Sequence, residues 1–245
     1  MIFEDDGYYF GLGAFETIAV EDGHPVFLDE HLQRLQRAMD FFSLDTTLEE
    51  IKLRLRETLA QPEIASGHMV LKITVSPKNL LLRYRKNPYT EVDYANGFIV
   101  GFSDILRNET SPLTYHKTLN YSDCLMEKRR FLKKGLQEPI FLNTKGYLCE
   151  GATTNLFFVK DGQLYTPDLS CGLLPGIMRD YLCKTYSVHT CELLPEDLST
   201  FDEMFLTNSL LGIMPVRDFQ GYRQFSSGKT ADRLLEVYRG FTAFS

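Results

Sequence analysis

The sequence predicts an α+β fold built largely on antiparallel strands. Three observations lead there. Short apolar runs of strand character are joined by tight turns, as in AFETIAV (14–20), EDGHP (21–25) and VFL (26–28). Longer stretches with apolar residues at helical spacing fall between such runs, as in LDEHLQRLQRAMDFFSL (28–44). The chain has 245 residues, 44% hydrophobic and 24% charged, enough for one or two domains with substantial cores.

Taken in order, 14–20 and 26–28 form a hairpin around EDGHP. Leu28, Leu32, Leu35, Met39 and Phe42 then mark one face of a helix, with Asp29 as its expected N-cap. A second helix over 46–60 carries Leu48, Ile51, Leu55 and Leu59 on one face, capped by Thr46 or Thr47. HMVLKITVS (68–76) alternates like a half-buried strand, and RYRKNPY (83–89) reads as a polar, proline-containing connection. GFIVGFSDI (97–105) is another strand. RNETSPLTYHK (107–117) is rich in turn formers and marks the domain junction. The expected division is an N-terminal α/β domain over 1–106, a connection over 107–118 and a larger C-terminal α/β domain over 119–245.

The second half reads as a helix near 120–134, a strand at 138–143 and one or two strands in YLCEGATTNLFFVK (147–160). DGQ then turns the chain into LYTP (164–167), and a helix opens near Pro175. EMFLTNSLLGIMPV (203–216) gives strand, turn, strand, and a last helix covers 229–241.

Composition narrows the function. The net charge is −7 and long basic tracts are absent, so nucleic acid is not an expected partner. No apolar run is long enough to span a bilayer, and the first residues lack the signature of a signal peptide. The five cysteines include no C-x-x-C pair; reduced thiols in a cytoplasmic protein are expected. Cys149, beside Glu150, is expected to line a site without acting as a nucleophile. His31, His68 and His116 are not at metal-ligand spacing, and no metal is expected.

Three segments carry chemistry: YHKTLNY (115–121), EGATTNLFFV (150–159) and LLPGIMR (173–179). They offer an amine in Lys117, a carboxylate in Glu150, and a Gly turn that opens a helix and presents N–H groups of Ile177 and Met178 to an anion. Ser209, in TNSLLG, adds a hydroxyl. A pyridoxal phosphate enzyme needs such a set: a nucleophilic amine, an acid beside the pyridine nitrogen and a phosphate cradle. Taken singly, each has an ordinary reading: a solvated lysine, a strand-end glutamate, a proline-initiated helix. Arg34 is either a phosphate clamp or a solvated helix-face charge. Arg83, Arg85 and Lys86 cluster beside Tyr84 and Tyr89, with Arg107 near the junction; they suit a substrate bearing carboxylates, or a solvated loop.

Together these segments resemble the class IV aminotransferase family, the fold type IV pyridoxal phosphate enzymes. FGLGAFETI (10–18) is similar to the family's FGDGVFET segment and EHLQRL (30–35) to the helix after it. EGATTNLF is similar to E-G-x-x-S/T-N-x-F, and LLPGIMR to L-x-G-I-T-R. The resemblance implies two α/β domains with pyridoxal 5'-phosphate in the cleft between them, and a homodimer. It makes Lys117 the lysine bonded to the cofactor and Glu150 the partner of its pyridine nitrogen. Arg34, the backbone N–H groups of Ile177 and Met178, and Ser209 would hold the phosphate, and Tyr121 the phenolic oxygen. Two departures stand out. Only nine residues precede Phe10, so the family's first strand is missing or shortened. Met178 replaces a common Thr, which removes a hydroxyl and leaves the backbone donor.

Within the family, KTLNY, PGIMR and TNSLLGIMPV look most like members that convert 4-amino-4-deoxychorismate to 4-aminobenzoate and pyruvate, a step toward folate. The implied substrate is a small amine bearing carboxylates, with Lys117 as the base at ring C4. The alternative is an aminotransferase for D-amino acids or branched-chain L-amino acids. A non-catalytic cofactor carrier or regulatory relative is a third reading, disfavoured by the intact Lys117 and Glu150.

Overall fold

The structure is a computed structural model that describes residues 2–226 and 228–242. The chain forms two compact units. The first holds the described residues up to Pro88, His116–Tyr121, and those from Phe241 onward; the second holds Tyr89–Tyr115 and Ser122–Gly240. The sequence reading set its boundary at 106. Strand pairing instead carries Phe98–Phe102 into the second unit, and the lysine-bearing segment returns to the first.

The first unit runs α1 (Asp6–Phe10), β1 (Ala14–Glu21), β2 (His24–Pro25), α2 (Leu28–Phe42), α3 (Leu48–Leu59), β3 (His68–Ser76) and β4 (Asn79–Lys86). Its sheet has the order β2-β1-β3-β4, antiparallel throughout. Ala14, Ile18 and Val20 of β1 pack with Leu71, Ile73 and Val75 of β3 and with Leu32, Leu35, Ala38 and Met39 of α2. Each large side chain so buried contributes about 1.5–3 kcal/mol.

Several local expectations change here. VFL does not return as a strand, because β2 ends at Pro25. The residue capping α2 is Phe27, in left-handed backbone with φ 53° and no side-chain cap; Asp29 sits in the first turn, where its charge suits the helix dipole. Thr47 does cap α3, accepting the Glu50 N–H at 3.2 Å. RYRKNPY is mostly strand: Leu80, Leu82 and Tyr84 of β4 pack on the core while Arg83 and Arg85 face the other way. Ahead of β1 the chain forms the short helix α1. Its cap Asp5 accepts hydrogen bonds from Tyr8 N, Ser76 Oγ, Lys78 N and Asn79 Nδ2.

The second unit runs α4 (Glu91–Asn96), β5 (Phe98–Phe102), α5 (Ser122–Lys133), β6 (Glu138–Leu142), β7 (Leu148–Gly151), β8 (Asn155–Lys160), β9 (Gln163–Pro167), α6 (Ile177–Thr185), β10 (Val188–Cys191), β11 (Glu203–Asn208), β12 (Gly212–Phe219), β13 (Arg223–Gln224) and α7 (Lys229–Thr242). The strands follow the order β10-β9-β8-β11-β12-β5-β6-β7, with β13 on β12. β7 also pairs with β8 through Glu150 and Asn155, so the path from β8 to β7 closes on itself. Most pairings are antiparallel, as expected, but β5 is parallel to both β12 and β6, and β9 to β10. Ile140, Leu156, Phe158, Leu206 and Met214 fill the core. Pro175 lies outside α6, whose N-cap is Gly176.

Candidate active site

Lys117 is held by its neighbours' backbone. The Phe15 N–H donates to the Lys117 carbonyl at 3.0 Å, and the Leu119 N–H donates to Gly13 O at 2.9 Å. Asn120 Nδ2 donates to Gly11 O at 2.9 Å. Both glycines are needed for this docking. A Cβ on Gly13 would lie 2.5 Å from Val75 O and 2.7 Å from Leu119 Cδ1. Gly11 has φ +73°, and its Cβ would lie 2.6 Å from Asn120 Oδ1. FGLGAFET and KTLNY, a hundred residues apart, are thus two halves of one local structure. The Lys117 ammonium lies 4.5 Å from the centre of the Phe15 ring and 5.3 Å from that of Tyr121, and those two rings meet edge to face.

Arg34 projects from α2 into the same unit, buried to 5% exposure, against Glu16 of β1. Its Nε and Nη2 donate to the two carboxylate oxygens at 2.7 and 2.8 Å. His31, one turn earlier on the helix, donates from Nδ1 to Glu16 at 2.7 Å, because an ionised carboxylate only accepts. Burial opposes the Glu16 charge, yet Arg34 and His31 hold its carboxyl well below the usual range. Burial pushes His31 below the ordinary imidazole value, against the pull of Glu16. The sequence reading passed over Glu16 and weighed His31 only as a metal ligand. Their signal was a carboxylate at a core-facing strand position, between Ala14 and Ile18, with a histidine three residues before Arg34 on the facing helix.

In the second unit, Glu150 is buried on β7. Arg107 Nη2 donates to its Oε1 at 2.5 Å, and the Leu174 N–H to Oε2 at 3.0 Å. Arg107 is fixed in turn by its own N–H, which donates to Leu142 O at 2.8 Å, and by its guanidinium over the Phe141 ring. Arg107 therefore lies on Glu150, whereas Arg83 and Arg85 lie on β4 of the first unit. Glu150 is also followed closely by the anchor of α6. Asn155, opposite Glu150 in the ladder, donates from Nδ2 to Leu174 O at 2.9 Å.

The N-terminus of α6 has no side-chain cap. Gly176 precedes it, and a Cβ there would lie 2.0 Å from Asn155 Oδ1. Glycine avoids that clash, and it has no side chain with which to cap the first turn that holds Ile177 and Met178. The Met178 side chain is fully buried. Ser209 sits in the turn between β11 and β12, which Asn208 organises by accepting the N–H groups of Leu210 and Leu211. Cys149 donates its S–H to Cys171 O at 3.0 Å; burial pushes its thiol well above the ordinary value, which leaves it unreactive. Among the described residues no group of His, Cys, Asp and Glu could hold a metal ion, and no helix is long and apolar enough to cross a membrane.

The family model described as amino-transferase class IV matches residues 13–219. The chain belongs to that family, whose members depend on pyridoxal phosphate. It is 27% identical to the aminodeoxychorismate lyase of Bacillus subtilis (strain 168), over 96% of this chain and 87% of that protein. It is 30% identical to a putative branched-chain-amino-acid aminotransferase of Methanocaldococcus jannaschii, over 89% of this chain and 82% of the relative. The crystal structure of 4-amino-4-deoxychorismate lyase from Pseudomonas aeruginosa superposes with a TM-score of 0.84 at 26% identity, covering 98% and 94% of the two chains. The fold is that of the fold type IV pyridoxal phosphate enzymes.

Proposed function

We propose that this protein is a pyridoxal phosphate-dependent lyase converting 4-amino-4-deoxychorismate to 4-aminobenzoate and pyruvate. The observation that carries the reading is the docking of Lys117 beside β1 by the Phe15 and Leu119 backbone bonds, which sets its amine over the Phe15 and Tyr121 rings. The similarity to the Bacillus subtilis lyase along 96% of the chain supports the choice within the family.

The residues fit the cofactor. Lys117 would bond it, and Glu150, oriented by Arg107, would meet its pyridine nitrogen. Arg34, the N–H groups of Ile177 and Met178 in the uncapped first turn of α6, and Ser209 would hold its phosphate, and Tyr121 its phenolic oxygen. When bound, pyridoxal phosphate supplies an electron sink next to the carbon that carries the amine. Lys117 Nζ, released from the cofactor when the substrate amine takes its place there, would take the proton from ring C4 and would bond the cofactor again as 4-aminobenzoate leaves. The C–O bond to the enolpyruvyl group breaks, the ring becomes aromatic, and the departing enolate collects a proton to give pyruvate. Atoms balance without oxidant or amino acceptor.

Purified protein loaded with pyridoxal phosphate tests this directly. We expect catalytic release of 4-aminobenzoate and pyruvate from 4-amino-4-deoxychorismate without a keto acid, lost in Lys117→Ala. Folded, loaded protein that gives no product removes the reading. The 30% identity to the Methanocaldococcus jannaschii relative supports a second reading, an aminotransferase. That enzyme would accumulate pyridoxamine phosphate when given D-alanine or L-leucine alone.

A further inference from the structure

The face of the first sheet that lies away from α2 and α3 carries a row of cations. Lys72 of β3 stands opposite Arg83 of β4, and Arg85 follows two residues along on the same face. Thr17 of β1 flanks Lys72 on its other side. Among the described residues no carboxylate pairs with Lys72, Arg83 or Arg85. The strand residues of that face include one acid, Glu21, and it is bonded to His68 at the far end. Like charges directly opposite one another weaken a sheet. Their accumulation here stands out in a chain of net charge −7.

The row also borders the reactive amine. Lys72 Nζ lies 4.6 Å from the centre of the Phe15 ring, and Lys117 Nζ lies 4.5 Å from the same ring. Burial and then the charge of Arg85 lower the Lys72 ammonium from its ordinary value, as in a site that lacks a counter-ion. One aromatic side chain therefore separates the proposed base from an uncompensated cation, and the cation continues into Arg83.

We propose that Lys72, with Arg83 beside it, forms an anion subsite that receives a carboxylate of a doubly charged substrate and so selects dicarboxylate amines over monocarboxylate amino acids. The inference rests on the lyase reading for its substrate and names the residues that would recognise it. Lys72 acts on binding, through charge, while Lys117 acts on the proton. Arg85 extends the positive field without facing Lys72 directly.

The test uses the loaded enzyme with two ligands that lack an amine and so cannot react: chorismate, with two carboxylates, and benzoate, with one. Titration calorimetry measures both. We expect the wild type to hold chorismate at least about tenfold more tightly than benzoate, a gap that charge-assisted pairing can supply. Lys72→Met and Arg83→Met should each remove most of that gap, and Lys72→Arg should keep it. For 4-amino-4-deoxychorismate, Lys72→Met should raise KM about tenfold or more with kcat little changed, the mark of lost uniform binding. Circular dichroism and Tm confirm that each variant folds, with Lys72→Gln as a second substitution. Wild type without the chorismate preference, or a folded Lys72→Met that keeps both preference and KM, overturns the proposal. The preference without any 4-aminobenzoate formation supports the subsite and removes the lyase reading. Product formation unaffected by Lys72→Met does the reverse.

Discussion

Glu16 and Arg34 form a doubly hydrogen-bonded pair, at 2.7 and 2.8 Å, inside the helix–sheet interface of the first unit, where Glu16 has no exposed surface. Such a pair is costly to bury and costlier to break, because one partner alone leaves a charge without water or counter-ion. In Glu16→Gln both Arg34 and His31 lose their anion. We expect destabilisation of about 3–5 kcal/mol in urea unfolding. Phosphate affinity should also fall, since the guanidinium loses its orienting partner. A variant with wild-type urea midpoint and wild-type affinity for inorganic phosphate would show that Arg34 needs no such support.

The same cluster sets the response to acid. His31 lies below the ordinary imidazole value in the fold, so the unfolded chain binds its proton first. Stability therefore begins to fall as pH drops through about 6.5, the value of a free histidine. Glu16, held low by its partners, and Asp5, lowered to about 2 by four hydrogen bonds that outweigh its burial, act further down. Their contribution is complete above the free carboxylate range and is lost as pH falls below about 4. Tm followed from pH 8 to 3 should show both losses. His31→Gln should flatten the upper one. His116, also lowered, by burial and then Arg37, adds to the same upper loss. The contribution of His31 is thus the difference between variant and wild type, and identical profiles would contradict it.

Gly13 is where the first motif meets the lysine segment. In Gly13→Ala the new methyl would press on Val75 O and Leu119. Backbone cannot give way cheaply, and overpacking of this kind costs about 1–3 kcal/mol. We expect a lowered Tm together with a loss of turnover larger than that loss of stability explains, because Leu119 moves Lys117 with it. Borohydride trapping of the cofactor on Lys117 would report the displacement independently.

Arg107 Nη2 donates to the Glu150 carboxylate, and we propose that it orients that group. Arg107→Met should reduce kcat/KM about 10–100-fold, the usual range for residues that orient a site's ligands. On the proposed placement of Glu150 at the pyridine nitrogen, the absorbance of bound pyridoxal phosphate should change as well, since that carboxylate is no longer fixed. Arg107→Lys should recover part of both. A raised KM with unaltered cofactor spectrum would place Arg107 on the substrate instead.

The sequence by itself determined the family and the local elements. α2, α3, β1 and β3 follow from apolar spacing, because that periodicity records which face of an element is buried. The segments around Lys117, Glu150 and Gly176 stood out because a close backbone approach admits only small residues in a short span, as at Gly13 and Gly176; the roles proposed for those residues await the experiments above. β4 was misread as a connection because its outward face is basic, and only pairing with β3 reveals its alternation. The membership of β5 in the second unit rests on parallel pairing with β12 and β6, and contacts between segments so far apart leave no local pattern. Tertiary structure alone decided the charges: that Glu16 is buried on Arg34, that Arg107 is taken by Glu150, and that Lys72 and Lys117 share one ring. A charged side chain's role depends on what lies within a few ångströms of it, and spacing along the chain does not encode that distance.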